Sequence, residues 1–225
     1  MNAKEVLATL RRLGKPQTAA TYKRHGSGDN VFGVLTSEIA KIKKKIKVDH
    51  ALSTELWSSG NAEARILSLL IADPLRVSRA DADSMVGDGQ AHFLACYLTD
   101  LLAKSPIADA TMRAWMKSKE ESPREVGYGI LGARLRDDPE SISDADALKA
   151  LKTIEKEIHR SPNWVRYAMN GAVISIGVLK PQLRTKAIEA ARRIGKVEVD
   201  HGETTCKTPD AVSYIEKASK RRRCP

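Results

Sequence analysis

Apolar positions along this chain recur at helical rather than alternating spacing, and they do so in four similar stretches. Each stretch begins at a break in the pattern, and successive breaks lie 29, 33 and 39 residues apart, at Gly60-Asn61, Gly89-Gln90, Ser122-Pro123 and Ser161-Pro162. Such intervals are typical of stacked helix pairs, because one pair cannot bury its apolar face alone. We therefore predict an all-α, HEAT-like helical-repeat solenoid, a curved array of antiparallel helix pairs with a concave groove.

Each of the four helices carries a narrow polar stripe on an otherwise apolar surface. When residues are placed at 100° per position, Asn61, Arg65 and Ser68 share one side of the first helix, and Arg166 and Asn170 share one side of the fourth. One alternative is that each stripe meets bulk water, as on any surface helix. Four stripes in register instead favour a common groove, lined by Asn61, Arg65, Gln90, His92, Arg124, Tyr128, Trp164, Arg166 and Asn170.

The rest of the pattern predicts further helices and no sheet. A glycine-containing loop is expected over 24–34, and Thr36 is expected to cap the Lys-rich helix that follows. Further helices are expected over 1–13, 17–25, 36–47, 49–59, 79–86, 107–117, 143–160, 181–194 and 210–219. We predict a single domain, 1–225, made of N-terminal helices (1–60), core repeats (61–195) and a C-terminal cap with a basic tail (196–225).

Net charge indicates the kind of partner. Lys and Arg number 38 against 28 Asp and Glu, which gives a formal charge of +10 and favours a polyanion such as nucleic acid. A run of lysines from Lys41 to Lys47 is interleaved with isoleucines at helical spacing, so part of it must form a solvated outer face. A second basic cluster, Lys220 to Arg223, forms the tail. The candidate phosphate contacts are Thr36, Ser37, Lys41, Lys44 and Lys45.

Several other classes of site are disfavoured. Three widely spaced cysteines argue against a disulfide framework, and no phosphate-binding loop motif occurs. The spacing of His201 and Cys206 matches no structural zinc site, so we expect no metal and no cofactor. The segment that contains them, 200–210, has little helical periodicity, and either a hydrogen-bonded cap or a contact with phosphate or a base remains open. No run of about twenty apolar residues is present, and we expect a cytoplasmic, nucleoid-associated monomer.

Several short motifs together resemble a known family. Tyr22 to Arg24, Asn30 to Val34, Thr36 to Ile39, Leu56-Trp57 and Asn61 to Arg65 look like the N-terminal half of the bacterial AlkD-like DNA alkylation repair proteins. The similarity continues through 93–106 and 164–177 and so covers most of the chain, although each motif is a packing motif of modest specificity. The resemblance implies a HEAT-like solenoid that holds duplex DNA in its concave groove. We expect DNA as the partner, whether intact duplex, damaged or branched. The resemblance also implies excision of N3- and N7-alkylated purines, with an Asp that stabilises the sugar cation and aromatic residues beside the deoxyribose.

The positions implied for that chemistry are altered in this chain. When Tyr97 to Leu101 are aligned with the corresponding helix of the family, Ala91 falls at the catalytic Asp and Gly87 at the preceding Trp. The second Trp falls near Gly171 and the groove arginine near Gly127. Glycine cannot stack on a sugar, and a developing positive charge needs an electrostatic partner. We therefore expect excision to be absent or weak.

Two carboxylates and two function classes stay open at this point. Asp88 and Glu125 are the candidate catalytic residues if the alignment shifts. The first function class is a DNA-binding repair protein with or without excision activity. The second is a HEAT-like scaffold whose groove holds an acidic protein partner. Matching arginines on separate repeats suit a phosphate backbone, whereas a peptide groove would carry exposed apolar anchors.

Overall fold

A computed structural model of the protein describes residues 1–88 and 91–221. Within these ranges the regular structure consists of thirteen α-helices and four short 3-10 helices, without a β-strand. The α-helices are α1 (Ala3–Leu13), α2 (Pro16–Arg24), α3 (Thr36–Ile46), α4 (His50–Ser58), α5 (Ala62–Ile71), α6 (Arg79–Val86), α7 (Ala91–Ala103), α8 (Ala108–Trp115), α9 (Glu121–Asp137), α10 (Asp144–Glu157), α11 (Asn163–Leu179), α12 (Arg184–Ile194) and α13 (Ala211–Arg221). The 3-10 helices are Pro74–Arg76, Pro139–Ser141, Ile158–Arg160 and Pro181–Leu183. The all-α prediction is confirmed.

Side-chain caps explain where many of the helices begin. The side chain of Asn2 accepts a hydrogen bond from the backbone N–H of Glu5 (2.9 Å), and the Glu5 carboxylate accepts one from the backbone N–H of Asn2 (3.2 Å). Ser78 and Asp81 form the same reciprocal pair at the start of α6. Each of these caps satisfies N–H groups that have no partner within the helix. Single caps of this kind also precede α4, α5 and α10, at Asp49, Asn61 and Ser143.

Some predicted boundaries differ from the observed ones. Helix α9 begins at Glu121 rather than at Pro123, because a proline in the first helical turn lacks only an N–H that would have no intrahelical partner. The helix predicted over 143–160 ends as an α-helix at Glu157 and continues as a single 3-10 turn. Both differences lie in terminal turns, where the balance between helix types is close.

The described chain divides into two compact units. The first comprises Met1–Ile107 together with Gly202–Thr204, and the second comprises Ala108–His201 together with the residues from Thr205 onward. The prediction of one domain stays a prediction, and the two units are taken in turn.

Helix α5 is the central helix of the first unit and packs against α1, α3, α4 and α7. Its apolar residues Ile66, Leu67 and Ile71 are almost completely buried. Ser68, predicted to lie on a ligand-facing stripe, is also fully buried. Its hydroxyl donates to the carbonyl oxygen of Ser53 on α4 at 2.8 Å. The predicted stripe on α5 is therefore wrong at Ser68, because this polar group serves contact between neighbouring helices.

Helix α11 is the central helix of the second unit and packs against α9, α12 and α13. Two contacts in this unit are close enough to require glycine, one between α9 and the end of α8 and one between α11 and α13. A Cβ at Gly127 would lie 2.7 Å from the backbone nitrogen of Met116 on the α8 side, and a Cβ at Gly177 would lie 2.6 Å from Ile215 of α13. A long side chain therefore has no room at Gly127, so this position is not a groove position. Gly171, by contrast, is exposed and has nothing within 4 Å of an added Cβ.

This contrast generates a first prediction. Gly171→Ala should raise the free energy of unfolding by about 0.5–1 kcal/mol, because alanine restricts the unfolded chain and suits a helix interior. Gly127→Ala should lower it by about 1–3 kcal/mol, because backbone atoms must move. Urea unfolding monitored by circular dichroism gives both values. Equal effects of the two substitutions would contradict the packing described.

Candidate nucleic-acid interface

A buried carboxylate fixes the loop that precedes α3. Glu63 is fully buried on α5, and its carboxylate accepts the backbone N–H groups of Phe32 (3.0 Å), Gly33 (2.5 Å) and Val34 (3.0 Å). Gly33 has φ +85°, a conformation that glycine adopts without strain. A Cβ at Gly33 would also collide with the carbonyl oxygen of Lys15. The loop is thus held rigidly at the start of the Lys-rich helix.

The first turn of α3 differs from the sequence prediction. Leu35, not Thr36, is the N-cap residue, and no side chain caps the helix. Thr36 and Ser37 are exposed and occupy the first two helical positions. Backbone N–H groups at these positions have no acceptor within the helix and attract anions. The cap assignment of Thr36 is wrong, whereas the proposed phosphate contacts of Thr36 and Ser37 stay predictions.

A basic depression of about 840 Å³ lies among α3, α5 and α7 in the first unit. Four exposed lysines, Lys43, Lys44, Lys47 and Lys104, line it together with one carboxylate, Asp100. Of the lysines predicted to contact phosphate, only Lys44 lines this depression. Lys41 pairs with Glu38 at 2.7 Å, and Lys45 is exposed elsewhere on α3. Sequence reasoning missed Lys104, because only the packing of α7 brings it to the lysines at the end of α3.

A smaller hollow of about 290 Å³ in the same unit contains the predicted residue His92. Tyr22, Phe93 and Tyr97 contribute aromatic rings to it, and the Tyr22 and Phe93 rings lie 5.4 Å apart. Burial raises the pKa of Tyr97 to about 12, and burial, followed by the charge of Glu63, raises the pKa of Tyr22. A tyrosine phenol is uncharged at neutral pH even at its ordinary pKa of about 10, so neither ring repels a phosphate.

Arg65, the first of the predicted groove arginines, is held in an ion pair within the unit. Its two terminal nitrogens donate to the two carboxylate oxygens of Asp88 at 2.7 and 2.8 Å. The guanidinium also lies over the Trp57 ring, 4.9 Å from its centroid. Only 13% of the Arg65 side chain is exposed. Asp88 is thus the counterion of an arginine, which argues against its candidate role as a catalytic carboxylate.

The predicted residues of α9 in the second unit are also largely internal. Arg124 pairs with Glu157, and only 16% of its side chain is exposed. Tyr128 is buried, and burial raises its pKa against the opposing effect of Arg124. Glu125 is buried as well. Both residues are thus largely engaged within the unit, and their contact with a ligand stays a prediction.

Two predicted asparagines hold backbone segments. The amide of Asn61 donates to the carbonyl oxygen of Asn30 at 3.1 Å, and its oxygen caps α5. The amide of Asn170 donates to the carbonyl oxygen of Pro209 at 2.9 Å. Both side chains are buried. Their predicted role as ligand contacts is corrected to a structural one.

The remaining predicted residues of α11 surround an open hollow of about 600 Å³ in the second unit. Arg166 lines this hollow together with His201 and Cys206 of the 200–210 segment. Trp164 is half-buried, and its backbone N–H donates to the Glu121 carboxylate at 2.7 Å. Arg166 is thus the one predicted groove arginine for which no partner carboxylate lies within bonding distance in the described part of the second unit.

Several predictions fall outside the described residues. Gln90 lies there, as do the side chain of Ala91 and the tail residues Arg222 and Arg223. Among the residues that are described, no cluster of three or more potential metal ligands occurs. No described helix is both long and apolar enough to cross a membrane.

Comparison with known proteins defines the family. The family described as DNA alkylation repair enzyme matches residues 6–215. An uncharacterized protein of Listeria innocua is 32% identical over 218 residues, which is 94% of this chain and 95% of that protein. An uncharacterized protein of Listeria monocytogenes is 30% identical over 218 residues, with the same coverage of 94% and 95%.

A solved structure extends the comparison to the fold. It superposes with a TM-score of 0.90 at 29% identity and covers 99% of this chain and 96% of its own. That protein is described as one of a new family related to the HEAT-like repeat DNA glycosylases, with affinity for branched DNA structures. The chain under study belongs to the DNA alkylation repair enzyme family and has the HEAT-like repeat fold, as its sequence motifs indicated.

The Arg65–Asp88 pair generates a second prediction. A double-mutant cycle of Arg65→Met and Asp88→Asn should give a coupling energy of about 1–3 kcal/mol, because the pair is bidentate and mostly shielded from water. The exposed pair Arg79–Asp83 on α6, with side chains 43% and 52% exposed, is the matched control and should give about 0.5 kcal/mol or less. Chemical unfolding measures both cycles. A coupling at Arg65–Asp88 no larger than the control would show that this arginine is not held internally.

Proposed function

We propose that this protein binds DNA through the phosphate backbone, without reading sequence, and prefers branched DNA to uninterrupted duplex. Family membership and a net charge of +10 support DNA as the ligand. The preference for branches is proposed by likeness to the solved relative with affinity for branched DNA structures. In this proposal the protein acts as a monomer in the cytoplasm, at the nucleoid.

The lysine-lined depression of the first unit is the observation that carries the proposal. Four exposed ammonium groups, those of Lys43, Lys44, Lys47 and Lys104, surround a surface that contains a single carboxylate. Lysine acts on phosphate as a point charge on a flexible stem, so such a surface attracts a backbone of any sequence. The uncapped first turn of α3 lies at the other end of the helix that supplies most of these lysines.

Two of the predicted groove arginines are paired within their units, which leaves fewer cationic groups to bind phosphate. Arg65 and Arg124 face Asp88 and Glu157, so each pair is close to neutral when seen from outside. The lysines of the first unit and Arg166 of the second unit are the groups to which we assign phosphate binding. This assignment replaces the stripe of arginines expected from the sequence.

We propose further that the protein binds DNA without excising alkylated bases. Asp88 is held by Arg65, and Glu125 is buried. Gly171 offers open space where an active relative is expected to present an aromatic ring. A carboxylate already paired with a guanidinium is a poor partner for a sugar cation, because its charge is already balanced by another cation.

A third prediction tests DNA binding. The logarithm of the binding constant should fall linearly with the logarithm of salt concentration, and Lys44→Glu/Lys104→Glu should reduce that slope by about 2, because each neutralised phosphate accounts for roughly 0.9 of the slope. The exposed Lys152 on α10 provides the control, Lys152→Glu, which should leave the slope unchanged. Fluorescence anisotropy with a four-way junction and a matched duplex measures both slope and preference. A salt-independent affinity, or an equal effect of the control variant, would refute the proposed surface.

A fourth prediction concerns excision. Release of N7-methylguanine and N3-methyladenine from alkylated duplex should be at least about a hundred- to a thousandfold slower than with an active family glycosylase, because one transition-state electrostatic partner typically contributes this much. Single-turnover assays with chromatography of released bases measure the rates. Rapid release of either base would contradict the proposal, and Asp88 and Glu125 would then be the first carboxylates to replace.

A further inference from the structure

Three aromatic rings lie together in the second unit, and one of them, His201, lines the open hollow. Trp164 and Tyr167 lie on the first two turns of α11, and His201 lies on the segment that follows α12. Ring centroids are 6.5 Å apart for Trp164–Tyr167, 5.9 Å for Trp164–His201 and 5.5 Å for Tyr167–His201. All three pairs meet edge to face, and Tyr167 is 41% exposed. Edge-to-face packing holds rings firmly, and the exposed part of Tyr167 stays accessible to a ligand.

The cluster is held in place before any ligand arrives. Asn163 accepts the backbone N–H of Asp200 through Oδ1 and donates to the carbonyl oxygen of Asp200 through Nδ2, both at 2.8 Å. The Nε2 atom of His201 lies 3.0 Å from the hydroxyl of Thr208. These bonds tie Asp200 to α11 and His201 to Thr208. A preformed site loses less conformational entropy when it binds.

Arg166 provides a cation with spare hydrogen-bonding capacity at the same place. Its Nε atom is buried and has no hydrogen-bond partner, and one terminal nitrogen reaches Asn163 Oδ1 only at 3.5 Å. Lys196 and Lys207 also line the hollow, which measures about 600 Å³. The carboxylates there are Glu198, which pairs with Lys196 at 2.9 Å, and Asp200. Arg166 and Lys207 supply positive charge to this hollow, and Glu198 offsets part of the charge of Arg166.

We propose that this hollow binds an unpaired nucleotide of DNA, with the base stacked on Tyr167 and its phosphate near Arg166 and Lys207. An aromatic face next to cations matches the two chemical parts of a nucleotide. The volume lies in the range of small-molecule sites, about 300–1,000 Å³. A base within a duplex is stacked on both sides and cannot reach such a face, whereas bases at branch points, gaps and bulges can. The inference rests on the proposed DNA binding and explains how branches would be preferred.

The test compares a duplex that carries a single-nucleotide bulge with the same duplex without it, by anisotropy on the full chain. Tyr167→Ala should weaken binding to the bulged DNA by about tenfold, within the range that one stacked base contributes, and should change duplex binding by less than about twofold. Tyr167→Phe, which keeps the ring, should bind as the wild type does. Tyr214→Ala, at a tyrosine of α13 that is 51% exposed, is the matched control and should also leave both affinities unchanged.

A second variant tests the phosphate contact. Arg166→Gln should lower the salt slope for bulged DNA by about 1, which a decrease in stability alone would not do. Deoxyadenosine monophosphate is added as a competitor to test whether the hollow binds a nucleotide within DNA or a free mononucleotide. If the ligand is a nucleotide within DNA, the monophosphate should displace bulged DNA only weakly.

Two results would overturn this inference. The first is a Tyr167→Ala variant that loses affinity equally for both DNAs or for neither. The second is a mononucleotide that binds tightly in a Tyr167-dependent way while DNA discrimination is unaffected by Tyr167→Ala. Binding of DNA with no effect of Tyr167 would refute this inference alone. Absence of any salt-dependent DNA binding by the wild type would refute the proposed function as well.

Discussion

Polar side chains on one central helix of each unit hold the irregular segments of the chain, and the exposed surface depends on these bonds. Glu63 on α5 accepts three backbone N–H groups of the loop before α3. Asn163 and Asn170 on α11 hold Asp200 and Pro209. Backbone without regular structure must find partners for its N–H and C=O groups wherever it is covered. These side chains supply partners, so the loops lie against the helices in one arrangement.

The two groove arginines and the lysines of the first-unit depression differ in how they meet polar partners. The planar guanidinium matches a carboxylate through two parallel bonds, and Arg65 and Arg124 are engaged with Asp88 and Glu157 inside their units. The lysines of the first-unit depression, Lys43, Lys44, Lys47 and Lys104, remain exposed, where they give a field rather than a set of directed contacts. An exposed lysine surface of this kind attracts a phosphate backbone of any base sequence.

The sequence predicts the helices well and the partners of polar groups poorly. Periodicity reports which face of a helix is apolar, so it predicts nearly every helix, and the predicted and observed bounds of α6 agree at both ends. For a polar residue, periodicity does not indicate whether its side chain contacts water, a ligand or a carboxylate that is distant in sequence. Asp88 is 23 residues from Arg65, and Glu157 is 33 residues from Arg124. These separations are closed only by tertiary packing, which also brings Lys104 to the end of α3.

Gly171 has a consequence for how this family can change. The position is exposed on a helix that is otherwise packed on several sides, and an added Cβ would meet no atom within 4 Å. Selection for folding therefore places almost no restriction on the residue found there, whereas it restricts Gly127 and Gly177 tightly. A methyl group can therefore be added at Gly171 without a compensating mutation elsewhere in the unit, so the packing of this helix does not determine which residue stands there.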